Sequence, residues 1–373
     1  MRLAINASIF DRRPSGLGVY TQALATALHA LHHDLVVYTS RPGEMPCARA
    51  IRPWGEPSRG GPGHLWRMLW TQAALPRRIR RDGADVLLNP VAEGPARAPV
   101  AQVSVIHDVI PLLYPQESPR QQWYIRSFVP AVLRASARII ADSAQTKTDV
   151  VTHYGLSPER ITVVPPGVDR GQFFPRPEAR AETARLGLHA YLLSVGNLRP
   201  HKNLARLLEA LAQIPGGLTL AVVGHRDPRY WPALAQRAAA LGVAGRVRFL
   251  GFMDARWLPV LYSAALAVVV PSLYEGFGLP VLEAMACGAP VIASSTGALR
   301  EVAGDAAVLV DPHDVPGWAS AITRVGADGA LRADLRARGM ARAAQFSWSE
   351  TARRVLAVAA EAHGARTRGP DYS

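Results

Sequence analysis

Cysteine is scarce in this sequence, and long apolar runs are missing. The 373 residues include only Cys47 and Cys287, which lie far apart in the chain. A disulfide framework or a cysteine-based metal cluster is therefore excluded. No apolar run approaches the roughly 20 residues that a membrane span needs, and Asn6 and Asp11 interrupt the first apolar stretch before signal-peptide length. We expect a protein of the reducing cytoplasm that is neither secreted nor integral to a membrane.

Lysine is nearly missing as well. Only Lys147 and Lys202 are lysines among 42 basic residues, and the excess over 29 acidic residues gives a formal charge of +13. The arginine excess is spread along the chain, which is typical of a GC-rich genome and not of a basic module. No zinc-ligand spacing or RNA-binding aromatic motif accompanies it, so we expect no nucleic-acid partner. A non-catalytic anion- or nucleic-acid-binding protein remains an alternative that the net charge alone suggests.

The chain has the length and composition of two folded domains. Hydrophobic residues make up 49% of it and charged residues 19%, which is enough apolar material for sizeable cores. Twelve short β-rich runs alternate with segments of helical periodicity, among them 64–80 and 120–136. This alternation predicts an α/β fold in which helices cover parallel sheets.

A proline- and glycine-rich stretch near the middle of the chain predicts the domain boundary. Two such sheets joined by one linker would leave a central cleft that faces the carboxyl ends of both sheets. Ligands usually bind at the carboxyl ends of parallel strands, so we expect the substrate in this cleft. The expected parts are a Rossmann-like domain over 1–168, a linker over 169–188, a second Rossmann-like domain over 189–347, a helix over 348–365 that could cross back to the first domain, and a disordered tail over 366–373.

The most informative segment begins at Pro271 and reads PSLYEGFGLPVLEAMACGAPVIA. A buried strand enters a glycine-bearing turn that holds Glu275, and the following helix carries Glu283 in about its first turn. Gly276 and Gly278 let the backbone approach a ligand closely, and the helix start offers free amides to an anion. The two carboxylates are suited to accept hydrogen bonds from sugar hydroxyls. Taken singly, Glu275 is better explained as a turn residue and Glu283 as a favourable helix-start charge.

The whole string, with Glu275 and Glu283 eight positions apart, resembles the signature of family 4 of the retaining glycosyltransferases. The resemblance extends over nearly the whole chain. It implies a GT-B fold and transfer of a hexose from a nucleotide-diphosphate sugar with retention of anomeric configuration. It further implies that Glu275 binds hydroxyls of the sugar and Glu283 those of the ribose. The donor-binding segment implied by the resemblance also includes Gly276, Phe277, Gly278 and Leu279.

A second constellation, SVGNLRPHKNL, begins at Ser194. Arg199 and Lys202 lie in the loop before a helix, where two cations and the helix start can converge on a diphosphate and stabilise the departing nucleotide. The chain has only two lysines, and the presence of one of them in this loop indicates that a compact ammonium is needed. The alternative is helix capping by Asn203 with solvated charge. The family resemblance implies that the Arg-x-x-Lys pair holds the donor diphosphate, with Gly196 in the same donor-binding loop.

Further positions are assigned by the resemblance. Gly16, at a helix start within SGLGVYT, is expected to approach the donor phosphates. His107, at the end of a buried strand, is expected beside the transferred sugar, orienting it or stabilising charge without acting as a nucleophile, although a lone histidine is more often structural. Met253 and its neighbour Phe252 are candidates for contact with the nucleotide base, and core packing explains them equally well. The expected catalytic set is His107, Arg199, Lys202 and Glu275.

The chain contains no Asp-x-Asp, the diphosphate–Mg²⁺ motif of the other large glycosyltransferase fold. We therefore expect a metal-independent enzyme without a cofactor, in which Arg199 and Lys202 supply the positive charge. No side chain is an obvious nucleophile, which favours a front-face route in which the leaving phosphate takes the acceptor proton.

The stretch that follows His107, HDVIPLLYP, resembles a branch rich in bacterial mannosyltransferases of O-antigen and other polysaccharide assembly. GDP-mannose is therefore the favoured donor, with a UDP-sugar possible, and a polysaccharide or lipid-linked glycan is the expected acceptor. A nucleotide-sugar epimerase of the same fold is an alternative, which would alter the sugar without an acceptor.

The segment 64–81 contains five arginines, two tryptophans and no acidic residue. A basic helix with an apolar face can lie on an anionic membrane surface, which would make the protein peripheral at the cytoplasmic face of the inner membrane. Packing of Trp70, Leu75 and Pro76 against a core is the competing explanation, and the sequence leaves both open.

Overall fold

The computed structural model describes residues 1–12, 15–32, 34–254 and 256–367. The chain divides into two compact units. Met1–Gly167 and the segment from Ser347 onward form the first, and Val168–Phe346 forms the second. Of the tail expected over 366–373, the first two residues belong to the last helix and the remainder lies outside the described residues.

The first unit contains one sheet of seven parallel strands. Its strands are β1 (Leu3–Asn6), β2 (Leu35–Thr39), β3 (Ala48–Ala50), β4 (Val86–Asn89), β5 (Ala101–Ile106), β6 (Arg138–Ala141) and β7 (Ile161–Val163). They pair in the order β3-β2-β1-β4-β5-β6-β7. Four of the inner strands are buried along their whole length, as expected where helices cover both faces of a sheet. The edge strand β3 escaped prediction because its three residues are short, largely exposed and without an apolar run.

Helices cover both faces of this sheet. They are α1 (Gly16–Leu31), α2 (Gly60–Arg81), α3 (Ile110–Leu113), α4 (Val129–Ala135), α5 (Ala144–Tyr154) and, from the end of the chain, α14 (Trp348–Thr367). On one face, Leu24 and Leu28 of α1 and Val355 of α14 enter the core. On the other face, α2 contributes Trp70 and Leu75.

Helix α14 returns to the first unit at a close backbone contact. A Cβ added at Gly167 would lie 2.2 Å from the backbone nitrogen of Trp348, so only glycine fits there. The Thr351 hydroxyl donates to the Pro165 carbonyl over 2.8 Å. These contacts attach the last helix to the end of the first unit.

One predicted helix, 120–136, is interrupted. A π-helical turn at Tyr124–Phe128 precedes α4, and the Val129 amide donates to the Tyr124 carbonyl. Pro130 has no amide hydrogen to give to the carbonyl four residues earlier, which accounts for the wider turn. The apolar periodicity of the segment concealed this break.

The second unit contains a sheet of six parallel strands. They are β8 (Tyr191–Val195), β9 (Thr219–Val223), β10 (Val247–Gly251), β11 (Ala267–Val270), β12 (Val291–Ser294) and β13 (Val308–Val310). The order is β10-β9-β8-β11-β12-β13. The accompanying helices are α6 (Ala179–Ala184), α7 (Leu204–Gln213), α8 (Trp231–Ala240), α9 (Trp257–Ala264), α10 (Leu279–Ala286), α11 (Gly297–Ala303), α12 (Val315–Ala327) and α13 (Gly329–Ala343).

Part of the segment expected as a linker, 169–188, packs into this second unit. It contains α6, and Phe173, Ala179 and Leu188 are buried in the core with residues of α9 and α10. The prolines and glycines of the segment indicated a connection, but its few apolar residues are enough to attach it. Among the described residues, no helix has the length and apolarity that spanning a bilayer requires.

Each sheet has one place where the direction of strand order reverses. In the first sheet it lies between β1 and β4, and in the second between β8 and β11. The loops that leave two such strands run to opposite sides, which opens a crevice at the carboxyl edge of the sheet. Residues that follow β8 and β11 are therefore brought together although they are distant in sequence.

Gly224 allows the loops at this edge to approach each other. A Cβ added there would lie 1.8 Å from the Gly196 carbonyl oxygen. We predict that Gly224→Ala lowers the stability of the second unit by about 2 kcal/mol or more, because backbone must move to admit the methyl group. Scanning calorimetry should show the transition of this unit shifted down by several degrees. Gly245→Ala, where no atom lies within 4 Å of the added Cβ, is the matched control, and an equal effect of both substitutions would contradict the prediction.

Candidate functional site

Two oppositely charged side chains meet where the order of the second sheet reverses. Lys202 lies between β8 and α7, and Glu275 lies between β11 and α10. The Lys202 ammonium donates to both carboxylate oxygens of Glu275 over 2.6 and 2.8 Å. The two side chains are only 19% and 10% exposed, so water screens the pair weakly. The structure thus brings together two predicted site residues that are far apart in the sequence.

Glu275 is held in its ionised form. Burial alone would raise its pKa, but the charge and hydrogen bonds of Lys202 outweigh burial, and the pKa falls below its ordinary value. Ser272 donates its hydroxyl to Glu275 Oε1 over 2.7 Å. Sequence reasoning missed Ser272, although its position three residues earlier in the same string was an available signal. Glu275 is therefore an acceptor for hydroxyl groups at neutral pH.

Asn203 fastens the loops around this pair. Its side-chain amide donates to the carbonyls of Pro271 and Pro312 over 2.9 and 2.8 Å. Its backbone is left-handed, with φ of 59°, and its side chain makes no capping bond to α7. The capping explanation of Asn203 is therefore wrong. The residue positions the turn that carries Lys202 against the loop that carries Glu275.

Glycines shape the same crevice. Gly196 lies against Lys202, since a Cβ added there would be 3.6 Å from the Lys202 Cε. Gly278 has φ of 111°, and an added Cβ would lie 2.7 Å from a methyl group of Leu299. Any other residue at Gly278 would be strained and would clash. The other residues of the predicted segment are the buried Gly276 and Phe277 and the first residue of α10, Leu279.

Glu283 has a different environment from Glu275. It is the fifth residue of α10 and therefore lies just beyond the first turn, close to where the sequence predicted it. Tyr262 donates its hydroxyl to Glu283 Oε2 over 2.9 Å. Burial raises the pKa of Glu283 to about 7, with the Tyr262 hydrogen bond acting in the opposite direction. Sequence reasoning did not predict a role for Tyr262, which lies in α9.

Arg199 belongs to the same loop as Lys202. The guanidinium of Arg229 pairs with the neighbouring Asp227 over 2.6 Å. This hydrogen bond lowers the pKa of Asp227 to about 2, and the charge of Arg199 adds to the effect. Arg199 is therefore close enough to the loop after β9 to act electrostatically with it.

Met253 and Phe252 follow β10 and differ in burial. Met253 packs half-buried against the core, whereas the Phe252 ring is 68% exposed. Of the two, Met253 is the one that core packing explains. Phe252 presents an aromatic face at the carboxyl edge of the sheet.

In the first unit, His107 follows β5 and both of its ring nitrogens are hydrogen-bonded. Nδ1 lies 2.6 Å from Asp142 Oδ2, and Nε2 lies 2.8 Å from the Pro90 carbonyl oxygen. An ionised Asp142 and a carbonyl oxygen both accept, so this geometry favours hydrogen on both nitrogens, which is the imidazolium form of the ring. Burial alone would lower the pKa of His107, but the charge of Asp142 outweighs burial and raises it. Sequence reasoning missed Asp142, which follows the neighbouring strand β6.

Gly16 opens α1 with no atom within 4 Å of an added Cβ. The same helix carries Tyr20, whose ring meets the His107 ring edge-on with centroids 4.5 Å apart. The predicted residues of the first unit therefore share one edge of its sheet. Within the described ranges, no three acidic, histidine or cysteine side chains form a group that could hold a metal ion.

Solved structures define the class of fold. The chain superposes on HepE of Anabaena bound to UDP-glucose with a TM-score of 0.78 and 21% identity, covering 97% of this chain and 100% of the other. Two parallel α/β units of this kind are the GT-B fold of glycosyltransferases, as the sequence predicted.

Family models agree with the fold. The model described as Glycosyltransferase Family 4 matches residues 14–172, and that of Glycosyl transferases group 1 matches residues 175–342. Together they account for most of the chain. The chain belongs to the family 4 glycosyltransferases, which confirms the resemblance found in the sequence.

Two curated relatives carry different names. O-antigen chain mannosyltransferase B of Escherichia coli is 32% identical over 66% of this chain and 66% of its own length. D-inositol 3-phosphate glycosyltransferase of Frankia alni is 39% identical over 60% of this chain and 59% of its own length. The chain thus spans about three fifths to two thirds of the relatives that it matches.

The environment of Glu283 predicts a pH-dependent stability. With its native pKa at about 7 and its ordinary value at 4.5, the folded protein keeps a proton that the unfolded chain releases, so stability falls as pH rises through this window. Glu283→Gln removes that loss. We expect the unliganded variant to be more stable than the parent at pH 8, by up to about 3 kcal/mol. At pH 5 the gain should be much smaller, because Glu283 is then neutral in the folded protein and the linkage has only begun above the ordinary pKa of 4.5. Thermal unfolding at both pH values measures the difference, and a gain of equal size at pH 5 would refute the assignment.

The His107–Asp142 pair predicts a second dependence of folding stability on pH, in which stability again falls as pH rises. Because the pKa of His107 is raised above 6.5, its stabilisation is complete below pH 6.5 and is lost as pH rises through the native value. Asp142→Asn should therefore destabilise the protein more at pH 6 than at pH 9, since asparagine can still accept a hydrogen bond but has no negative charge to stabilise the protonated ring. Thermal unfolding of parent and variant at both pH values tests this. A deficit that is independent of pH would contradict the imidazolium.

Proposed function

We propose that the protein transfers a hexose, with mannose favoured, from a nucleotide-diphosphate sugar to a polysaccharide or lipid-linked glycan, with retention of configuration. The bond between the anomeric carbon and the diphosphate breaks, and a bond to an acceptor hydroxyl forms on the same face of the sugar. The acceptor proton passes to the departing phosphate oxygen. No protein nucleophile or metal ion takes part in this scheme.

The observation that carries the proposal is the Lys202–Glu275 pair in the crevice between β8 and β11. An ammonium and a carboxylate at one point suit a ligand with an anionic part and a hydroxylated part. Lys202 and Arg199 would bind the diphosphate and stabilise the negative charge that develops as it leaves. Glu275 would accept hydrogen bonds from the sugar, and Gly196 leaves room for the phosphates beside the Lys202 stem.

Glu283 suits the ribose of the donor. Two vicinal hydroxyls can donate to a carboxylate, and their binding would favour its ionised form. The carboxylate is costly in the empty protein, as its raised pKa shows, so the donor would relieve an unfavourable charge. The residues from Gly276 to Leu279 and Met253 would complete the donor site.

His107 would act through charge. As an imidazolium with both nitrogens engaged, it has no lone pair to attack the sugar and no free base for a proton. A fixed positive charge would instead stabilise the donor's negative charge. Gly16, which has open space around it, would allow phosphates to approach the start of α1.

The identity of the donor is supported from two sides. The relative named as an O-antigen mannosyltransferase favours mannose as the transferred sugar, with GDP-mannose as the donor we propose, whereas the fold neighbour bound to UDP-glucose makes a UDP-sugar the other candidate. The relative named as an inositol phosphate glycosyltransferase favours a second candidate, a phosphorylated cyclitol as acceptor. An epimerase would convert the donor without any acceptor. Incubation with each donor, with and without a lipid-linked glycan or inositol phosphate, separates these reactions.

Removal of either charge of the central pair should abolish transfer. We predict that Lys202→Ala and Glu275→Ala each lower kcat/KM by about 100-fold or more, because each leaves the other charge buried and removes a contact to the donor. Steady-state assays with the preferred donor measure this.

A surface ion pair of the same unit supplies the matched controls. Arg237 and Glu209 are 2.8 Å apart and more exposed, so Arg237→Ala and Glu209→Ala should leave kcat/KM within about two-fold of the parent. Retention of full transfer by either Lys202→Ala or Glu275→Ala would remove the basis of the proposed site.

A further inference from the structure

Helix α2 leaves part of one face uncovered. Leu65 and Leu69 are 57% and 61% exposed, and they are spaced so that both project from the same side as Pro62 and Ala73, which are also exposed. The opposite side holds Trp70, which is buried in the core. The segment therefore contains both of the features that its sequence left open, a packing face and an exposed apolar face.

The exposed face continues into positive charge. Arg77 and Arg80 follow Ala73 at the same helical spacing and are exposed. Neither has a carboxylate within 4 Å among the described residues. No acidic residue occurs anywhere in α2. The exposed face therefore has an apolar half, with Leu65 and Leu69, followed along the helix by a basic half, with Arg77 and Arg80.

An amphipathic aromatic side chain lies beside the apolar half. Trp54 is 44% exposed, its ring meets that of Trp66 edge-on with centroids 5.6 Å apart, and the Arg52 guanidinium lies 4.6 Å above it. The charge of the Glu56 carboxylate is met by Arg41 at 3.8 Å, and the Ser40 hydroxyl donates to the same oxygen. Tryptophan and arginine together are typical of surfaces that meet lipid headgroups.

We infer that this face of α2, with Trp54 and Arg52, docks on an anionic phospholipid bilayer. The leucines would enter the boundary of the acyl chains while Arg77 and Arg80 contact headgroup phosphates. A second copy of the chain is a poorer occupant, because a symmetric contact through this face would bury Arg77 and Arg80 while α2 offers no acidic residue to pair with them. The inference deepens the proposed function, since a lipid-linked acceptor resides in such a bilayer, but vesicle binding itself requires no catalysis.

Sedimentation with vesicles tests this docking surface. The full chain should bind vesicles that contain about one third phosphatidylglycerol, bind neutral phosphatidylcholine vesicles much more weakly, and dissociate as salt is raised. Arg77→Gln with Arg80→Gln should lower the partition constant about 30-fold, from about 1 kcal/mol per arginine near such a surface. Leu65→Ser with Leu69→Ser should lower it by about 10-fold or more, because apolar area is no longer buried.

Matched doubles carry the same chemical changes elsewhere. Arg185→Gln with Arg256→Gln removes two exposed charges from the second unit, and Leu31→Ser with Leu186→Ser removes two exposed leucines. Both should bind vesicles like the parent. Equal losses in test and control doubles, or absence of binding to anionic vesicles, would overturn the inference, as would a change of oligomeric state in the Leu65/Leu69 double without vesicles.

Transfer to a soluble acceptor distinguishes this failure from failure of the proposed function. The α2 doubles should keep the parent rate with a water-soluble acceptor, since the changed side chains are exposed and none belongs to the proposed donor site. Vesicle binding without transfer would uphold the docking surface and reject the proposed reaction. Transfer without vesicle binding would uphold the proposed reaction and reject the docking surface.

Discussion

The reversal of strand order between β8 and β11 is the constraint on which the candidate site depends. These two strands are neighbours in the sheet but are separated by more than 70 residues of chain, and each is followed by a loop that turns to its own side. The result is a Lys202 ammonium that donates to both oxygens of the Glu275 carboxylate. Asn203, held by two carbonyls, and the contact between Gly196 and Gly224 keep the loops at that separation. The sheet topology brings Lys202 and Glu275 close together, and their opposite charges form the pair.

Two glutamates of one string acquire opposite tendencies from their surroundings. Glu275 faces a lysine and a serine hydroxyl, so its pKa is lowered and it stays charged. Glu283, eight positions later, accepts a hydrogen bond from the Tyr262 hydroxyl, and burial raises its pKa to about 7. Sites that bind ligands commonly contain such perturbed groups. The folded protein carries an unfavourable carboxylate at Glu283, which a donor with hydroxyl groups would stabilise.

Sequence reasoning predicted the fold class, the boundaries of most strands and the residues of the central string, because buried parallel strands have continuous apolar runs and the string is specific. It could not find Asp142 or Tyr262, since each acts through a contact between elements that no local pattern encodes. Asparagine before a helix usually caps it, which suggested capping as an alternative for Asn203, but its side chain binds two loop carbonyls instead. Apolar periodicity concealed the π-helical turn before α4, and the prolines and glycines of 169–188 concealed the part of that segment that packs into the second unit. The metal-free chemistry and the roles of individual site residues stay predictions.

The division of labour within the central pair is tested most directly by calorimetric binding of a nucleoside diphosphate and of its sugar derivative to the parent, Lys202→Ala and Glu275→Ala. If Lys202 binds the diphosphate and Glu275 the sugar, the lysine variant loses affinity for both ligands. The glutamate variant should then bind the nucleoside diphosphate nearly normally and lose only the additional affinity that the sugar provides. Affinities for both ligands that are unchanged in both variants would contradict a donor site at the Lys202–Glu275 pair.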